Sequence, residues 1–170
     1  MLTSGLTATR IANAFDVNLI YARQLCQSVD EDSTLEDIQK LIDTKPKPFV
    51  KWVGGKRQLL KQFRELGLYP PEAFNPITST YYEPFVGGGA VFFDLLPKNA
   101  KLSDLNSELV ITYNVIKSGV DELIESLQKH IYNKEYYLKV RAEKVEGLSE
   151  IEVASRFIFL NRTGFNGLYR

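Results

Sequence analysis

The chain has 170 residues, with 21 basic and 21 acidic side chains, so its formal net charge is zero. Hydrophobic residues make up 44% of the sequence, and no apolar run reaches the roughly 18 residues that span a bilayer, which argues against a membrane protein. A lone cysteine, Cys26, excludes an internal disulfide, disfavours a structural zinc site and predicts a cytoplasmic location.

The first block, residues 1–43, is predicted to be a small helical module. Apolar residues recur at helical spacing on both sides of a tight turn, which is typical of a helix-turn-helix. In this interpretation the second helix presents Tyr21, Arg23 and Gln24 to a DNA groove, and the alternative is a helical cap or an interaction module. Residues 44–48 contain two prolines and are predicted to be a linker, because proline interrupts both helix and strand.

The third block, residues 49–170, is predicted to be an α/β domain. A strand, a glycine turn, a helix and a second strand follow one another, which is typical of the front part of a doubly wound, Rossmann-like sheet. Helices are indicated by apolar positions at helical spacing and by capping residues, including Ser149 and Glu152 as a capping box. The predicted elements are helix Lys56–Leu66, strand Thr80–Pro84, helix Ala90–Leu96, strand Ala100–Ser103, and helices Asn106–Lys117, Val120–Tyr132, Lys134–Lys144 and Ser149–Arg162.

A glycine turn, Gly87 to Gly89, follows the first strand, and an acid, Asp104, follows the second. Glycine lets the backbone approach a ligand closely, and an acid about 20 residues further on can accept two hydrogen bonds from a ribose diol. The third glycine of the dinucleotide fingerprint is replaced by Phe92, and Arg57 stands where a P-loop needs Ser or Thr. The sequence therefore predicts a nucleoside ligand without a phosphate chain, and S-adenosylmethionine is the common one.

Four motifs between Pro48 and Arg170 are more specific than the glycine turn alone. They read PFVKWVGGKR at 48–57, YEPFVGGGA at 82–90, SDLNSEL at 103–109, and FIFLNR with FNGLYR within 157–170. In this order they resemble the Dam-type (D12 class) adenine-N6 DNA methyltransferases, some of which serve restriction–modification. The resemblance implies an S-adenosylmethionine-dependent enzyme that methylates adenine in duplex DNA.

The resemblance also implies a cofactor-binding role for particular residues of these motifs. Trp52 and Lys56 would help to hold S-adenosylmethionine, and Asp104 would bind its ribose. An aromatic face suits the cationic sulfonium, Lys56 can contact the methionyl carboxylate, and Glu83 can accept the amino group. A core aromatic for Trp52 and a strand-end ion pair for Glu83 are the alternatives. The predicted cofactor-binding residues are Trp52, Lys56, Glu83, Phe85, Gly87, Gly89 and Asp104.

The carboxyl-terminal motif is expected to contact double-stranded DNA through Arg162, Asn166 and Arg170. Enzymes of this family carry an Asp-Pro-Pro-Tyr tetrapeptide that binds the extruded adenine, and the 170 residues contain no such string. We therefore expect an amino-terminal part of a family enzyme, without a catalytic residue or a metal site, which binds cofactor but does not methylate DNA alone. The expected protein partner is a separate catalytic half, or a second copy of the chain that binds the sheet face left open by the missing strands.

Two other functions compete with this interpretation. The first is a helix-turn-helix DNA-binding module fused to a decayed cofactor domain, for which DNA binding would depend on Arg23 or Gln24. The enzyme interpretation requires instead a cofactor affinity that depends on Asp104. The second alternative is an assembly fragment that complements a separate catalytic half, which predicts methyl transfer only when the two parts are mixed.

Overall fold

The structure is a computed structural model that describes residues 46–165 together with Thr34, Glu36, Gln39 and Lys40. The predicted helix-turn-helix therefore lies outside the described residues. Among the residues that are described, no helix is long and apolar enough to cross a membrane.

Between residues 46 and 165 the chain forms a small mixed domain of helices and strands. All the helices and strands predicted between Lys56 and Arg162 are confirmed, with boundaries that move by a few residues. The elements are α1 (Arg57–Glu65), β1 (Thr80–Glu83), α2 (Ala90–Leu95), β2 (Asn99–Leu102), α3 (Ser107–Ser118), α4 (Val120–Leu127), α5 (Lys134–Ala142) and α6 (Glu150–Thr163).

Capping side chains set the start of three helices. Asn106, Asn133 and Ser149 precede α3, α5 and α6, and each side-chain oxygen accepts the backbone N–H three residues further on. These bonds satisfy donors that have no partner within the helix. The Glu152 carboxylate bonds back to Ser149, so the predicted capping box is confirmed, and these bonds lower the pKa of Glu152.

Helix α4 ends earlier than predicted, at Leu127 instead of Tyr132. After Leu127 the N–H groups of Lys129 and His130 bond to the carbonyl three residues back, which is the tighter 3₁₀ pattern. Such turns rarely continue for long, and Asn133 then begins the cap of α5. The prediction of one helix through Tyr132 was wrong because the apolar spacing continues past the point where the helical hydrogen bonding ends.

Strands β1 and β2 form a parallel two-stranded sheet, connected through α2. At their carboxyl ends the Ser103 N–H donates to the Glu83 carbonyl at 2.9 Å, and the Val86 N–H donates to the Ser103 carbonyl at 3.0 Å. Pairing therefore continues beyond the strands and holds the two following loops side by side. In parallel pairs both strands end at the same edge, so the glycine turn and the loop that contains Asp104 are neighbours.

The described residues divide into two compact units. The α1–α2 unit contains Lys56–Tyr82 and Ala90–Lys101. The glycine-turn unit contains Pro48–Gly55, Glu83–Gly89 and the residues from Leu102 onward. The glycine turn and Asp104, which are the central sequence signals, therefore belong to the same unit.

In the α1–α2 unit an ion pair joins the two helices. Arg64 on α1 contacts Asp94 on α2, and the Tyr69 hydroxyl donates to the same carboxylate at 2.9 Å. The Arg64 guanidinium also lies over the Tyr69 ring, 5.5 Å from its centroid. Burial raises the pKa of Tyr69, and the Asp94 charge raises it further, so this phenol stays a hydrogen-bond donor.

Helix α6 is the centre of the glycine-turn unit, because its buried side chains reach three groups of apolar residues. Phe157 packs with Val50, Val86 and Leu109, which joins α6 to the loops of the site. Further clusters bring Ala154 against Val115 and Leu123, and bring Phe159 and Leu160 against Val140. Helix α6 therefore contacts α3, α4, α5 and the glycine-turn region at once.

Arg156, also on α6, is buried and ties together the ends of two other helices. Its Nε donates to the Val140 carbonyl at 3.1 Å, and its Nη2 donates to the carbonyls of Arg141 and Glu143. Its Nη1 pairs with Glu108 on α3 at 3.1 Å. The final carbonyls of a helix have no N–H donor within the helix. At the end of α5 the Arg156 guanidinium provides these donors.

Candidate functional site

The candidate site lies where β1 and β2 end, within the glycine-turn unit. Strand β1 ends at Glu83, which is buried, and the chain then turns through Gly87 and Gly89 with φ of +50° and +72°. L-residues with a side chain rarely adopt such angles, so the turn itself requires glycine. This confirms that a glycine turn follows the first strand.

Gly87 also has no room for a side chain. A Cβ built on Gly87 would lie 2.6 Å from Cδ1 and 2.8 Å from Nε1 of Trp52, and one on Gly88 would lie 3.2 Å from the Trp52 Cβ. The indole ring therefore lies directly against the backbone of the turn. Trp52 and the glycine turn come from different sequence motifs, and the structure brings them together.

Asp104 also holds the turn, through a hydrogen bond from the backbone of the turn. The Gly87 N–H donates to its Oδ2 at 2.9 Å, and the Asn106 N–H donates to its Oδ1 at 3.0 Å. Each carboxylate oxygen is thus oriented by one backbone donor. A carboxylate offers about four acceptor positions, so both oxygens keep capacity for hydroxyl groups of a ligand. This geometry suits two adjacent hydroxyls, as in a ribose diol.

Tyr113 on α3 completes the surroundings of Gly87. Its hydroxyl donates to the Gly87 carbonyl at 3.2 Å, and its ring packs edge-on against Phe49 at a centroid distance of 5.0 Å. Burial raises the pKa of Tyr113, and the charges of Glu83 and Asp104 raise it further. The phenol therefore stays neutral and keeps donating to the Gly87 carbonyl.

Trp52 packs against the core and also lies against the glycine turn. Its ring is partly buried and packs against the cluster of Val50, Val86, Leu109 and Phe157, with its centroid 6.5 Å from that of Phe157. The alternative that Trp52 is a core aromatic therefore agrees with the packing of its ring. Because the same ring covers the glycine turn, Trp52 also forms one wall of the candidate site.

Asn161 is a site residue whose role sequence reasoning missed. It is fully buried on α6, accepts the Lys51 N–H at 2.9 Å and donates to the Lys51 carbonyl at 2.8 Å. This pair holds the backbone next to Trp52. The asparagine was visible within the carboxyl-terminal motif, but nothing in a single sequence pairs it with a residue 110 positions earlier.

Two exposed apolar side chains flank the turn and the acid. Phe85 is 67% exposed and Leu105 is 92% exposed, although both belong to a unit with a well-packed core. Phe85 was among the predicted residues, whereas Leu105 was missed. The sequence did contain a pattern that indicates Leu105, since this apolar residue directly follows Asp104 in an otherwise polar loop. Both offer surface for a flat apolar ligand group.

The remaining predicted residues are Lys56, Arg162, Asn166 and Arg170. Lys56 belongs to the α1–α2 unit, where it is exposed and precedes α1 as its N-cap residue. Arg162 is exposed near the end of α6, while Asn166 and Arg170 lie outside the described residues. Within the described residues no group of three or more His, Cys, Asp or Glu side chains is arranged to hold a metal ion.

Comparison with known proteins identifies relatives for most of the chain. A family model of the D12 class N6 adenine-specific DNA methyltransferases matches residues 52–170. This favours the methyltransferase interpretation over the helix-turn-helix alternative, whose residues precede the match.

Individual relatives agree with the family match. The type II methyltransferase M1.LlaDCHI of Lactococcus lactis subsp. cremoris is 44% identical over 130 residues, which cover 73% of this chain and 43% of that protein. M.MjaIII of Methanocaldococcus jannaschii is 42% identical over 140 residues, covering 73% and 48%. The DNA adenine methylase of Escherichia coli K12 is 32% identical over 130 residues, covering 74% and 44%. The matched part spans less than half the length of these relatives.

Proposed function

The chain belongs to the family of D12 class N6 adenine-specific DNA methyltransferases, and from that premise we propose that its glycine-turn unit binds S-adenosylmethionine. The observation that carries the proposal is the position of Asp104. Both of its carboxylate oxygens are oriented by backbone N–H groups at the shared edge of β1 and β2. In open α/β sheets, ligands bind at the carboxyl ends of the strands.

The residues of the site fit the chemical groups of this cofactor. Asp104 would accept the ribose hydroxyls, and the exposed side chains of Phe85 and Leu105 would cover the adenine. The Trp52 ring and the Glu83 carboxylate would stabilise positive charge beside the turn. When bound, S-adenosylmethionine supplies an electrophilic methyl group on a sulfonium. Lys56 stays a predicted contact to the methionyl carboxylate.

Calorimetric titration of S-adenosylmethionine into the purified chain tests the proposal. Replacing Asp104 by Ala removes charge-assisted hydrogen bonds, so affinity should fall about 10- to 100-fold. Asp121→Ala is the matched control, because Asp121 is an exposed acid in the first turn of α4. Equal affinity of the Asp104→Ala variant and the control would exclude the proposed role.

Ligand analogues separate a direct contact from a general loss of structure. S-adenosylhomocysteine and its 2′,3′-dideoxy analogue differ in the two hydroxyls that Asp104 is proposed to bind. The chain should prefer the hydroxylated ligand, and Asp104→Ala should remove that preference. If the preference persists in the variant, the diol is bound by another residue.

The whole-protein activity that we propose is transfer of a methyl group to adenine N6 in duplex DNA. Support comes from the family match and from the names of the relatives, two of which are type II methyltransferases and one a DNA adenine methylase. Arg162, exposed near the end of α6, would contact a DNA phosphate. The matching DNA contacts of Asn166 and Arg170, and a cytoplasmic location, stay predictions.

We further propose that these 170 residues bind cofactor without methylating DNA by themselves. The support is the lack of an Asp-Pro-Pro-Tyr string in the sequence, since an enzyme that modifies a base must hold it outside the stack. An assay with tritiated S-adenosylmethionine and adenine-containing duplexes should give no transfer from the purified chain. Sustained turnover that is lost in Asp104→Ala would overturn this part of the proposal and leave the cofactor site intact.

The proposed fold of the whole domain is a doubly wound, Rossmann-like sheet, of which β1 and β2 are the first two strands. The parallel pairing, the glycine turn after β1 and the acid after β2 support it. The division into a helical module (1–43), a linker (44–48) and a methyltransferase domain (49–170) stays a prediction. We expect limited proteolysis to cut the chain within 44–48.

A further inference from the structure

A buried asparagine and a segment without secondary structure meet beside the candidate site. Residues 48–55 form no helix or strand, so no helical or sheet hydrogen bonding fixes their backbone. Within that segment the N–H and the C=O of Lys51 are both bonded by the Asn161 side chain, at 2.9 Å and 2.8 Å. A planar amide thus pairs with the backbone as a neighbouring strand would.

The pair is placed where it can set the position of Trp52. Lys51 is the residue directly before Trp52, and Asn161 stands one helical turn after Phe157, against which the Trp52 ring packs. The backbone bonds and the ring contact therefore attach this segment to the same helix at two points. Because a Cβ at Gly87 would lie 2.6 Å from the ring, a small displacement of this segment changes the wall of the site.

We propose that Asn161 is a positioning residue of the cofactor site, which acts through the Lys51 backbone to hold the Trp52 ring on the glycine turn. The inference rests on the proposed function for its effect on S-adenosylmethionine, while the placement of the ring can be measured without any ligand. Asn161 itself does not touch the cofactor in this proposal. Its contribution is preorganisation, which lowers the ordering cost when a ligand binds.

The decisive variant is Asn161→Asp. Aspartate keeps the shape and an oxygen for the Lys51 N–H, but it places a second oxygen where the amide donates to the Lys51 carbonyl. The matched control is Ser155→Ala, which removes another buried polar group of α6 that bonds away from this segment, to His130 at 3.0 Å. Ser155→Ala removes a buried hydrogen bond and nothing else, whereas Asn161→Asp also buries a carboxylate, so Asn161→Asp should be the more destabilising of the two.

Trp52 is the chain's one tryptophan, so fluorescence reports on this ring alone. In Asn161→Asp we expect emission at longer wavelength and stronger quenching by iodide, together with roughly tenfold weaker binding of S-adenosylmethionine. In Ser155→Ala the emission should match that of the unaltered chain. Unchanged emission in folded Asn161→Asp, or an equal shift in both variants, would overturn the proposal.

Two further experiments test the role of Asn161 if the chain does not bind S-adenosylmethionine or if the variant does not fold. If the unaltered chain binds no S-adenosylmethionine but Asn161→Asp still shifts the emission, the positioning role stands and the cofactor proposal fails. If Asn161→Asp does not fold, amide hydrogen exchange on the unaltered chain decides. The Lys51 N–H should then exchange as slowly as the core amide of Leu160, and exchange at the rate of an exposed amide would refute the pairing.

Discussion

Gly54 and Gly87 both lie in glycine-containing turns of the glycine-turn unit, and both adopt positive φ, of +74° and +50°. They differ in what surrounds them. A Cβ added to Gly54 would meet nothing within 4 Å, whereas one added to Gly87 would meet the Trp52 ring at 2.6 Å. Gly54 is therefore needed for the backbone angle alone, and Gly87 is needed for the angle and for close packing.

The largest effect that tests this comparison is expected from Gly87→Ala. The positive φ costs about 1–2 kcal/mol for an L-residue, and forcing a methyl group into a packed contact costs about 1–3 kcal/mol more. The free energy of unfolding, measured with urea, should therefore fall by about 2–5 kcal/mol. Trp52 emission should change because the ring must move. An unchanged emission spectrum would show that the ring does not lie on Gly87.

A double-mutant cycle isolates the contact from the backbone strain. Trp52→Leu removes the ring that the Gly87→Ala methyl group would strike, so the two changes together should cost less than the sum of the single costs. We expect a coupling of about 1–3 kcal/mol, measured by urea unfolding followed by circular dichroism. The corresponding cycle of Trp52→Leu with Gly54→Ala should be additive, since an added Cβ at Gly54 has no neighbour. Additivity in both cycles would contradict the comparison.

Gly54→Ala alone should have the smaller cost of the backbone angle. A loss of about 1–2 kcal/mol in the free energy of unfolding is expected, with unchanged Trp52 emission. Replacing Gly54 by Asn, which tolerates a left-handed backbone better, should recover part of that loss. A loss as large as that of Gly87→Ala would mean that Gly54 also has a packing role.

The comparison of Gly54 with Gly87 also shows which structural features can be predicted from one sequence. The glycine turn, Asp104 and the elements around them were predicted because they depend on local rules, such as strand endings, spacing and capping residues. The capping box at Ser149 was predicted for the same reason. These signals lie within one motif, or between two motifs whose separation is typical of the fold.

What the sequence could not give depends on contacts between distant segments. The packing of Trp52 on Gly87 and the pairing of Asn161 with Lys51 join residues that no spacing rule connects. Arg156 is a similar case, because its guanidinium is buried among the carbonyls at the end of α5 and no local pattern indicates that contact. Helical periodicity identifies a buried face, but it does not specify a buried cation.

The smallest effect is expected from Tyr113→Phe, which removes one hydrogen bond to the Gly87 carbonyl and keeps the ring against Phe49. The free energy of unfolding should fall by about 1 kcal/mol at neutral pH. Because burial raises the pKa of Tyr113, the unfolded chain loses this proton near pH 10 while the folded chain retains it, so the advantage over Phe should decrease as pH rises above that value. Tyr132→Phe is the control, since Tyr132 is 86% exposed and its replacement should leave the free energy of unfolding at neutral pH unchanged.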